Sequence, residues 1–332
     1  MNVLVLGGSI FIGLHLVRLL HGQGHRVTVL NRGVTKTQLP EGVTRLIADR
    51  SDPSQVKAAL KDASYDAVFD ISGYTPASLE PVIEGLEGRV GHYVFCSSIA
   101  VYGPSYVAPI EEGFALDRGP ETTQYGRDKV LCEDLLMEAF NRRAFPVTVL
   151  RPPYVYGPHN KLKQREFSFF ARLRQGRTII IPGDGYAMFH TVQVDDLAQA
   201  FAAAPGRSHT LGKAYTACGP EAISINGWID TIGEVVGVTP EVVHVDPKEF
   251  DALPDKLGLS DSFQIFPYPW GLTQVYTNER ARRDLEWSPI YRNREGLAMT
   301  YRWWLEQGLD KEPWDFSHED RALSMITATA GR

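Results

Sequence analysis

The chain has 332 residues, of which 43% are hydrophobic and 22% charged, so it can bury a large core without a disulfide or a metal ion. At about 150 residues per domain, this length predicts roughly two domains. The net charge of −6, from 34 basic and 40 acidic residues, disfavours nucleic acid and anionic membranes as partners.

Signals for export and for metal binding are not evident. The apolar run Met1–Leu6 is short for a signal peptide, and no segment approaches the roughly 18 apolar residues of a membrane-spanning helix. Cys96, Cys132 and Cys218 form no C-x-x-C pair and are predicted to be free thiols. We therefore expect a cytoplasmic protein with no metal ion and no membrane segment.

Short apolar strands alternate with helical patterns over the first 150 residues. Strands are predicted at Asn2–Leu6, Arg26–Leu30, Val43–Ile47, Ala67–Asp70, His92–Cys96 and Val147–Leu150. Helices are predicted at Phe11–Gly22, Pro53–Lys61, Pro76–Glu87 and Tyr125–Arg142. This alternation predicts an α/β protein with a Rossmann-type, doubly wound parallel sheet.

The pattern changes after Arg151, where segments rich in proline and glycine separate the remaining elements. A strand is predicted at His190–Val194, and helices at Lys161–Gly176, Ser224–Val236, Glu279–Leu285 and Glu295–Gln307. We predict a Rossmann domain over residues 1–155 and about 190–218. A smaller C-terminal substrate domain is predicted over about 156–189 and 219–317, followed by a weakly ordered tail at 318–332.

A glycine-rich segment joins the first strand to the first helix. Gly7 would form the tight turn, and Gly13 would allow helix and strand to pack closely. Ile10 stands where the usual spacing has a middle glycine. The residues predicted to hold a dinucleotide pyrophosphate are Gly7, Ser9, Ile10, Phe11, Ile12 and Gly13. The alternative is an ordinary glycine-rich turn.

The end of the second strand bears on the choice of cofactor. An acidic residue there would bind the ribose hydroxyls of NAD, but this chain has Asn31 and Arg32. An arginine can pair with a 2′-phosphate, which slightly favours NADP, although Arg32 could equally be a solvated loop residue. Asp49, after the third strand, is predicted to meet the adenine amine, and Arg50 beside it is predicted to bind the cofactor.

A tyrosine and a lysine lie four residues apart on one predicted helix face. A Lys129 ammonium beside the Tyr125 phenol would lower its pKa and allow proton transfer at neutral pH. Such a pair also arises by chance in a chain of this composition. A hydroxyl at Ser98 follows the fifth strand, and Arg151–Pro158 follows the sixth, so Ser98 and this segment are predicted at one sheet edge.

Taken in order, the motifs GGSIFIG, SSIAVYG, YGRDK and RPPYVYGP resemble the extended and atypical short-chain dehydrogenase/reductases, the NAD-dependent epimerase/dehydratase group. The loop without a middle glycine resembles an atypical bacterial subgroup related to chloroplast stem-loop RNA-binding proteins. The resemblance implies that Tyr125 is the acid/base, that Ser98 polarises the substrate oxygen and that Lys129 holds the nicotinamide ribose. It also implies that the cofactor is lined by Ile71, Ser72, Gly73, Pro153 and Val155.

Two departures from the family pattern narrow the expected chemistry. Ile99 and Ala100 replace the Asp-Glu pair of sugar-nucleotide dehydratases, which makes elimination of water unlikely. Tyr154 replaces the asparagine that contacts the nucleotide in UDP-sugar epimerases, which puts a UDP-sugar in doubt. Tyr154 and His190, together with Ser98, are the predicted substrate contacts.

The basic segment Lys161–Arg177 has six basic residues and one acidic residue. It is read either as a solvated helix with its phenylalanines packed inward, or as a clamp for an anionic substrate, or as a strip facing RNA. The apolar faces of the helices Pro76–Glu87 and Tyr125–Phe140 predict a homodimer.

The predicted function is that of an NAD(P)-dependent epimerase or reductase acting on a carbinol carbon of a sugar-derived substrate. The alternative is an RNA-binding or regulatory protein on the same scaffold.

Overall fold

The structure is a computed structural model that describes residues 1–120, 122–260, 265–268 and 271–330, with the backbone alone over 327–330. The chain divides into two units. The first unit is Met1–Val155, Val192–Pro220 and Tyr276–Ile290, and the second is Tyr156–Thr191, Glu221–Val275 and Tyr291–Arg332. Residues 276–290 were predicted in the substrate domain but lie in the first unit, because Ala281, Leu285 and Trp287 are buried in its core.

Strands and helices follow one another along both units. The strands are β1 (Asn2–Leu6), β2 (Arg26–Asn31), β3 (Thr44–Ile47), β4 (Ala67–Asp70), β5 (Tyr93–Cys96), β6 (Val147–Arg151), β7 (Tyr154–Tyr156), β8 (Ile179–Pro182), β9 (Met188–Gln193), β10 (Lys213–Thr216), β11 (Ala222–Ser224) and β12 (Val242–Val245). The helices are α1 (Phe11–Gly22), α2 (Pro53–Leu60), α3 (Pro76–Leu86), α4 (Gln124–Arg143), α5 (Glu166–Arg174), α6 (Val194–Ala203), α7 (Ile225–Val236), α8 (Pro247–Asp251), α9 (Leu253–Leu257), α10 (Glu279–Leu285), α11 (Asn293–Glu306) and α12 (Ser317–Ala330).

Within the described residues, the sheet of the first unit has seven strands in the order β10-β6-β5-β4-β1-β2-β3, all parallel. The chain lays β2 and β3 on one side of β1 and then places β4, β5 and β6 on the other. The order therefore reverses at β1, and the carboxyl ends of β1 and β4 border the crevice where ligands bind in such sheets. The predicted fold class is confirmed.

Helices cover both faces of this sheet because its strands are apolar on both sides. On one face, Leu16, Val17 and Leu20 of α1 pack in the same core as α6 and α10. On the other face, α2, α3 and α4 bury Val56, Leu79 and Leu136. Much of the apolar stripe of α4 is thus covered inside the chain, and its Leu131 is half-exposed.

The second unit is held together by aromatic side chains. Trp228 of α7 lies with its ring centroid 5.3 Å from Tyr156 and 5.9 Å from Phe189. Phe170 of α5 packs on Trp304 of α11 at 5.8 Å. The unit also contains a parallel pair β12-β8 and an antiparallel pair β11-β9, and both pairs join strands that are far apart in the sequence.

Two sequence predictions for the second unit are wrong. The helix predicted at Lys161–Gly176 begins only at Glu166, because the buried Glu166 carboxylate accepts hydrogen bonds from Gly157 N and Asn160 Nδ2, both at 3.0 Å, and holds the preceding residues in turns. Residues 318–330 of the segment predicted as a weakly ordered tail belong to helix α12, whose Ala322 and Ile326 are buried, and residues 331–332 of that prediction lie outside the described residues.

Buried His92 makes the first unit sensitive to acid. Its Nε2 lies 2.8 Å from Thr148 Oγ1, and burial lowers the pKa of His92 from 6.5 to about 4. Between these values the unfolded chain binds a proton that the folded chain does not, so stability falls as the pH drops from 6.5 towards 4, by about 1.4 kcal/mol per pH unit. We expect His92→Gln to flatten the fall of the urea-unfolding midpoint over this range. An unchanged slope would contradict this assignment.

Candidate active site

The turn after β1 has no room for side chains at its glycines. Gly7 has φ +90°, and its N–H donates to Leu30 O at 3.2 Å. A Cβ at Gly13 would lie 2.2 Å from Gly7 O and 2.9 Å from Gly8 Cα. Helix α1 therefore starts in direct backbone contact with the turn, the close packing that the sequence predicted for Gly13.

The start of α1 fits a phosphate ligand. Ile10 precedes the helix with extended backbone (φ −140°), and its apolar side chain makes no capping hydrogen bond at this end. The first N–H groups of an α-helix lack partners within the helix and carry its positive dipole end. Phe11 and Ile12 pack partly into the core, which leaves the backbone of residues 7–13 to face an anion. These features fit a dinucleotide pyrophosphate.

Polar contacts tie this loop to the end of β2. Asn31 Nδ2 donates to the buried Ser9 Oγ, and Asn31 Oδ1 accepts from Gly33 N at 2.9 Å. Arg32 is exposed and Asp49 is half-exposed at this edge. The hydrogen bonds from Ser51, and to a smaller extent the charge of Arg32, lower the pKa of Asp49.

The guanidinium of Arg50 forms hydrogen bonds at the loop Ile71–Gly73, which is predicted to line the cofactor. Both of its terminal nitrogens donate to the carboxylate of buried Asp70, and Nη1 also donates to Ser72 Oγ at 3.1 Å. Although burial acts in the opposite direction, the charge and hydrogen bonds of Arg50 lower the pKa of Asp70. Arg50 thus holds Ser72 within the loop Ile71–Gly73, which the sequence predicted to line the cofactor.

The ammonium group of Lys129 is buried at the junction of three elements. Lys129 on α4 donates to Cys96 O at 2.6 Å and to Gly73 O at 2.8 Å, at the ends of β5 and β4. Its Nζ lies 5.8 Å from the ring centroid of Tyr125 and 5.1 Å from that of Tyr74. Burial lowers the pKa of Lys129. The lysine is held where its charge can act on the phenol one helical turn away.

The glycine between Tyr125 and Arg127 explains how α4 reaches the end of β5. A Cβ at Gly126 would lie 2.5 Å from Ala100 O, in the 3₁₀ turn Ile99–Val101 that follows Ser98. Ser98 Oγ accepts from Ala100 N at 3.1 Å. Tyr125 is 45% exposed at the start of α4. The close approach brings the segments carrying Ser98, Tyr125 and Lys129 together.

The remaining predicted residues divide between the two units. Ile99 N donates to Pro152 O at 3.1 Å, which places the end of β6 beside that of β5. Pro153 and Val155 are buried there, and Tyr154 is half-buried. His190 belongs to the second unit, opposite Ala222 in the β11-β9 pair, and burial lowers its pKa to about 4.

Sequence analysis gave no role to three residues near this site. Tyr74 is 56% exposed beside Lys129. Glu133 and Arg151 form a buried ion pair between α4 and the end of β6, with Nη2 and Oε2 2.5 Å apart. The spacing of Tyr125, Lys129 and Glu133 at i, i+4 and i+8 puts all three on one helix face and could have indicated Glu133.

Most basic side chains of the segment Lys161–Arg177 form ion pairs with acidic side chains in the C-terminal part of the second unit. Ion pairs join Lys163 to Glu312, Arg172 to Glu319, Arg174 to Asp310 and Arg177 to Asp320. Phe167, Phe169 and Phe170 are buried, as the solvated-helix reading predicted. The paired carboxylates leave this face poorly suited to a polyanion.

Metal clusters and membrane-spanning helices are absent from the described residues. No His, Cys, Asp and Glu side chains gather there in threes or more as metal ligands would. None of the helices described combines the length and apolar character needed to cross a bilayer. The three cysteines are buried and free, as predicted.

Comparison with known proteins gave consistent matches. A model of the NAD-dependent epimerase/dehydratase family matches residues 3–216. Chloroplast stem-loop binding protein of 41 kDa b from Arabidopsis thaliana is 32% identical, over 97% of this chain and 84% of its own. 2′-Dehydrokanamycin reductase of Streptomyces kanamyceticus is 28% identical, over 61% of this chain and 57% of its own. The crystal structure of UDP-glucose 4-epimerase with UDP-glucose from Thermotoga maritima has a TM-score of 0.77 at 21% identity, over 92% of this chain and 99% of that one.

Proposed function

This chain belongs to the NAD-dependent epimerase/dehydratase family, and we propose that it is an NAD(P)-dependent epimerase or reductase acting on a carbinol carbon of a sugar or sugar-derived substrate. The observation that carries the proposal is Lys129, buried between Gly73 O and Cys96 O one helical turn from Tyr125. Burial lowers the pKa of Lys129, and titratable groups with shifted pKa values beside an exposed phenol are typical of functional sites.

In this proposal each residue of the set has a separate task. Tyr125 takes the proton of the substrate hydroxyl and returns it in the reverse direction, and the charge of Lys129 favours the phenolate form. Ser98 donates a hydrogen bond to the reacting oxygen. The bound nicotinamide would supply hydride transfer at the carbon. If the keto intermediate is released, the net reaction is dehydrogenation, or ketoreduction in the reverse direction. If the intermediate is instead reduced from its other face, the net reaction is epimerisation.

The cofactor would lie on the glycine loop, with Asn31, Arg32 and Asp49 at its adenosine end. In a fluorescence titration we expect NADPH or NADH to bind below millimolar concentration. Arg32→Asp should weaken NADPH more than NADH, because a 2′-phosphate loses a cation and meets a carboxylate. Arg142→Asp, an exposed substitution at the far end of α4, is the matched control.

Equal losses for the two cofactors would remove Arg32 from a 2′-phosphate site. Failure of the unchanged protein to bind either cofactor would contradict the enzyme proposal.

A second candidate function is RNA binding, favoured by the 32% identical chloroplast relative, whose name describes stem-loop binding. The basic segment is the surface that would serve it, and its pairing with Glu312, Glu319 and Asp320 argues against it. RNA affinity that falls with salt and is lost on charge reversal at Lys161, Lys163 and Arg165 would favour this function.

Assembly and location also belong to the proposal. We propose a homodimer through α3 and α4, and the half-exposed Leu131 is the apolar side chain of α4 that such a contact would cover. The three free thiols support a reducing location such as the cytoplasm.

A further inference from the structure

A buried ion pair lies directly behind the candidate active site. The side chains of Glu133 and Arg151 are 5% and 6% exposed, and two hydrogen bonds join them, Nη2 to Oε2 at 2.5 Å and Nε to Oε1 at 3.0 Å. Removing both charges from water is costly, and a well-packed apolar pair of the same volume is often as stable. Stability alone therefore does not account for the pair.

The pair connects the two segments that carry the proposed catalytic set, the end of β5 and helix α4, with the end of β6. Glu133 lies on α4, one turn beyond Lys129, and accepts a hydrogen bond at 2.5 Å from the hydroxyl of Ser97, the neighbour of Ser98. Arg151 ends β6, immediately before Pro152 and Pro153. Each of the three segments thus contributes one residue to the buried cluster and its neighbours to the active site.

A further contact extends the cluster to the segment after the 3₁₀ turn. Arg151 Nη1 donates to the Tyr102 hydroxyl at 2.6 Å and to Glu112 O at 3.3 Å. The guanidinium therefore donates to Glu133, to Tyr102 and to Glu112 O, which lie on different segments. A rotation or translation of any one of these segments would break a hydrogen bond to a charged group. A buried guanidinium is planar and makes directional hydrogen bonds, so it restricts the relative positions of the segments that it joins more than apolar packing does.

We propose that Glu133 and Arg151 are positioning residues that hold α4 against the ends of β5 and β6, so that Tyr125 and Lys129 stay aligned with Ser98. This inference rests on the proposed function. Neither side chain touches substrate or cofactor in it. Their effect passes through Ser97 and through the helix that carries Lys129.

The test uses substitutions that keep the charge but change the length or the shape of the side chain. Glu133→Asp shortens the carboxylate, and Arg151→Lys removes the fork. With Lys129 displaced, its charge stabilises the phenolate less, so the Tyr125 titration midpoint should rise by roughly half a pH unit or more. The midpoint is read from phenolate absorbance, as the difference between each protein and the same protein carrying Tyr125→Phe. On a working substrate, kcat should fall about 10–100-fold with little change in KM.

A second buried pair provides the matched control. Arg172 and Glu319, 4% and 12% exposed and 3.0 Å apart, lie in the second unit. Glu319→Asp and Arg172→Lys should lower the melting temperature comparably but leave the Tyr125 midpoint unchanged.

An unchanged midpoint in folded Glu133→Asp or Arg151→Lys protein would overturn the inference. So would an equal shift in the control variants, or a loss of fold in both test variants while the controls fold. The titration needs neither cofactor nor substrate. If the protein bound no NAD(P)H, that result would therefore contradict the proposed function but would not determine the outcome of the Tyr125 titration.

Discussion

Tyr125→Phe is expected to lower turnover by about 10²–10⁴-fold while NAD(P)H affinity stays nearly unchanged. The substitution removes only the phenol oxygen, which exchanges the proton of the substrate hydroxyl in the proposed reaction. Tyr125 is 45% exposed, so its hydroxyl can be lost without opening a cavity in the core. Tyr106→Phe, at a fully exposed tyrosine, is the control and should change neither rate nor affinity.

Companion variants separate the roles within the set. Ser98→Ala should cost less than Tyr125→Phe, because one hydrogen bond to the reacting oxygen is lost while the proton acceptor remains. Lys129→Met should impair both cofactor affinity and rate, because the ribose contact and the cation beside Tyr125 disappear together. The assay starts from sugar nucleotides, sugar phosphates and free keto sugars with NADPH. Full activity of Tyr125→Phe on any substrate found would show that the assignment is wrong.

Gly13→Ala is expected to abolish measurable cofactor binding and to destabilise the protein by about 1–3 kcal/mol or more. The added Cβ would lie 2.2 Å from Gly7 O and 2.9 Å from Gly7 C, and these are backbone atoms that cannot rotate away. Helix α1 must then move off the turn, and the N–H groups proposed to face the pyrophosphate move with it.

The same substitution elsewhere in α1 provides the control. Gly22 ends the helix with nothing within 4 Å of a built Cβ, so Gly22→Ala should be neutral or stabilise by up to about 1 kcal/mol. Urea unfolding and NADH titration measure both variants. Wild-type NADH affinity in Gly13→Ala would contradict the proposed placement of the cofactor on this loop.

Local patterns in the sequence were enough to predict the architecture of the first unit. The strand Asn2–Leu6 and the helix Phe11–Gly22 have the predicted bounds, because apolar periodicity and the flanking glycines are properties of a few consecutive residues. The candidate site at the carboxyl ends of the strands followed from the same information. Parallel strands bring the residues that follow them to one edge, which already placed Ser98 beside the residues after β6, and the family resemblance added Tyr125 and Lys129.

Contacts between residues that are far apart in the sequence could be identified only from the tertiary structure. The sequence placed Arg50 among the cofactor-binding residues and gave no partner for it, and the structure pairs its guanidinium with Asp70, a carboxylate twenty residues away. The segment 318–332 has a composition typical of a loose tail, yet its helix is held by Ala322 and Ile326 in the core and by Glu319 on buried Arg172.

The physical reason is that the spacing of charged residues along the sequence does not indicate which of them will form an ion pair. Hydrophobic spacing reports which face of an element is buried, because all apolar groups seek the same environment. An ion pair such as Glu133–Arg151 depends on two specific atoms meeting at hydrogen-bond distance, which follows only once the strands and helices between them have packed. The sequence by itself therefore determined the elements and the edge where the proposed site lies, and the tertiary structure decided which charged residues face the site and which brace it.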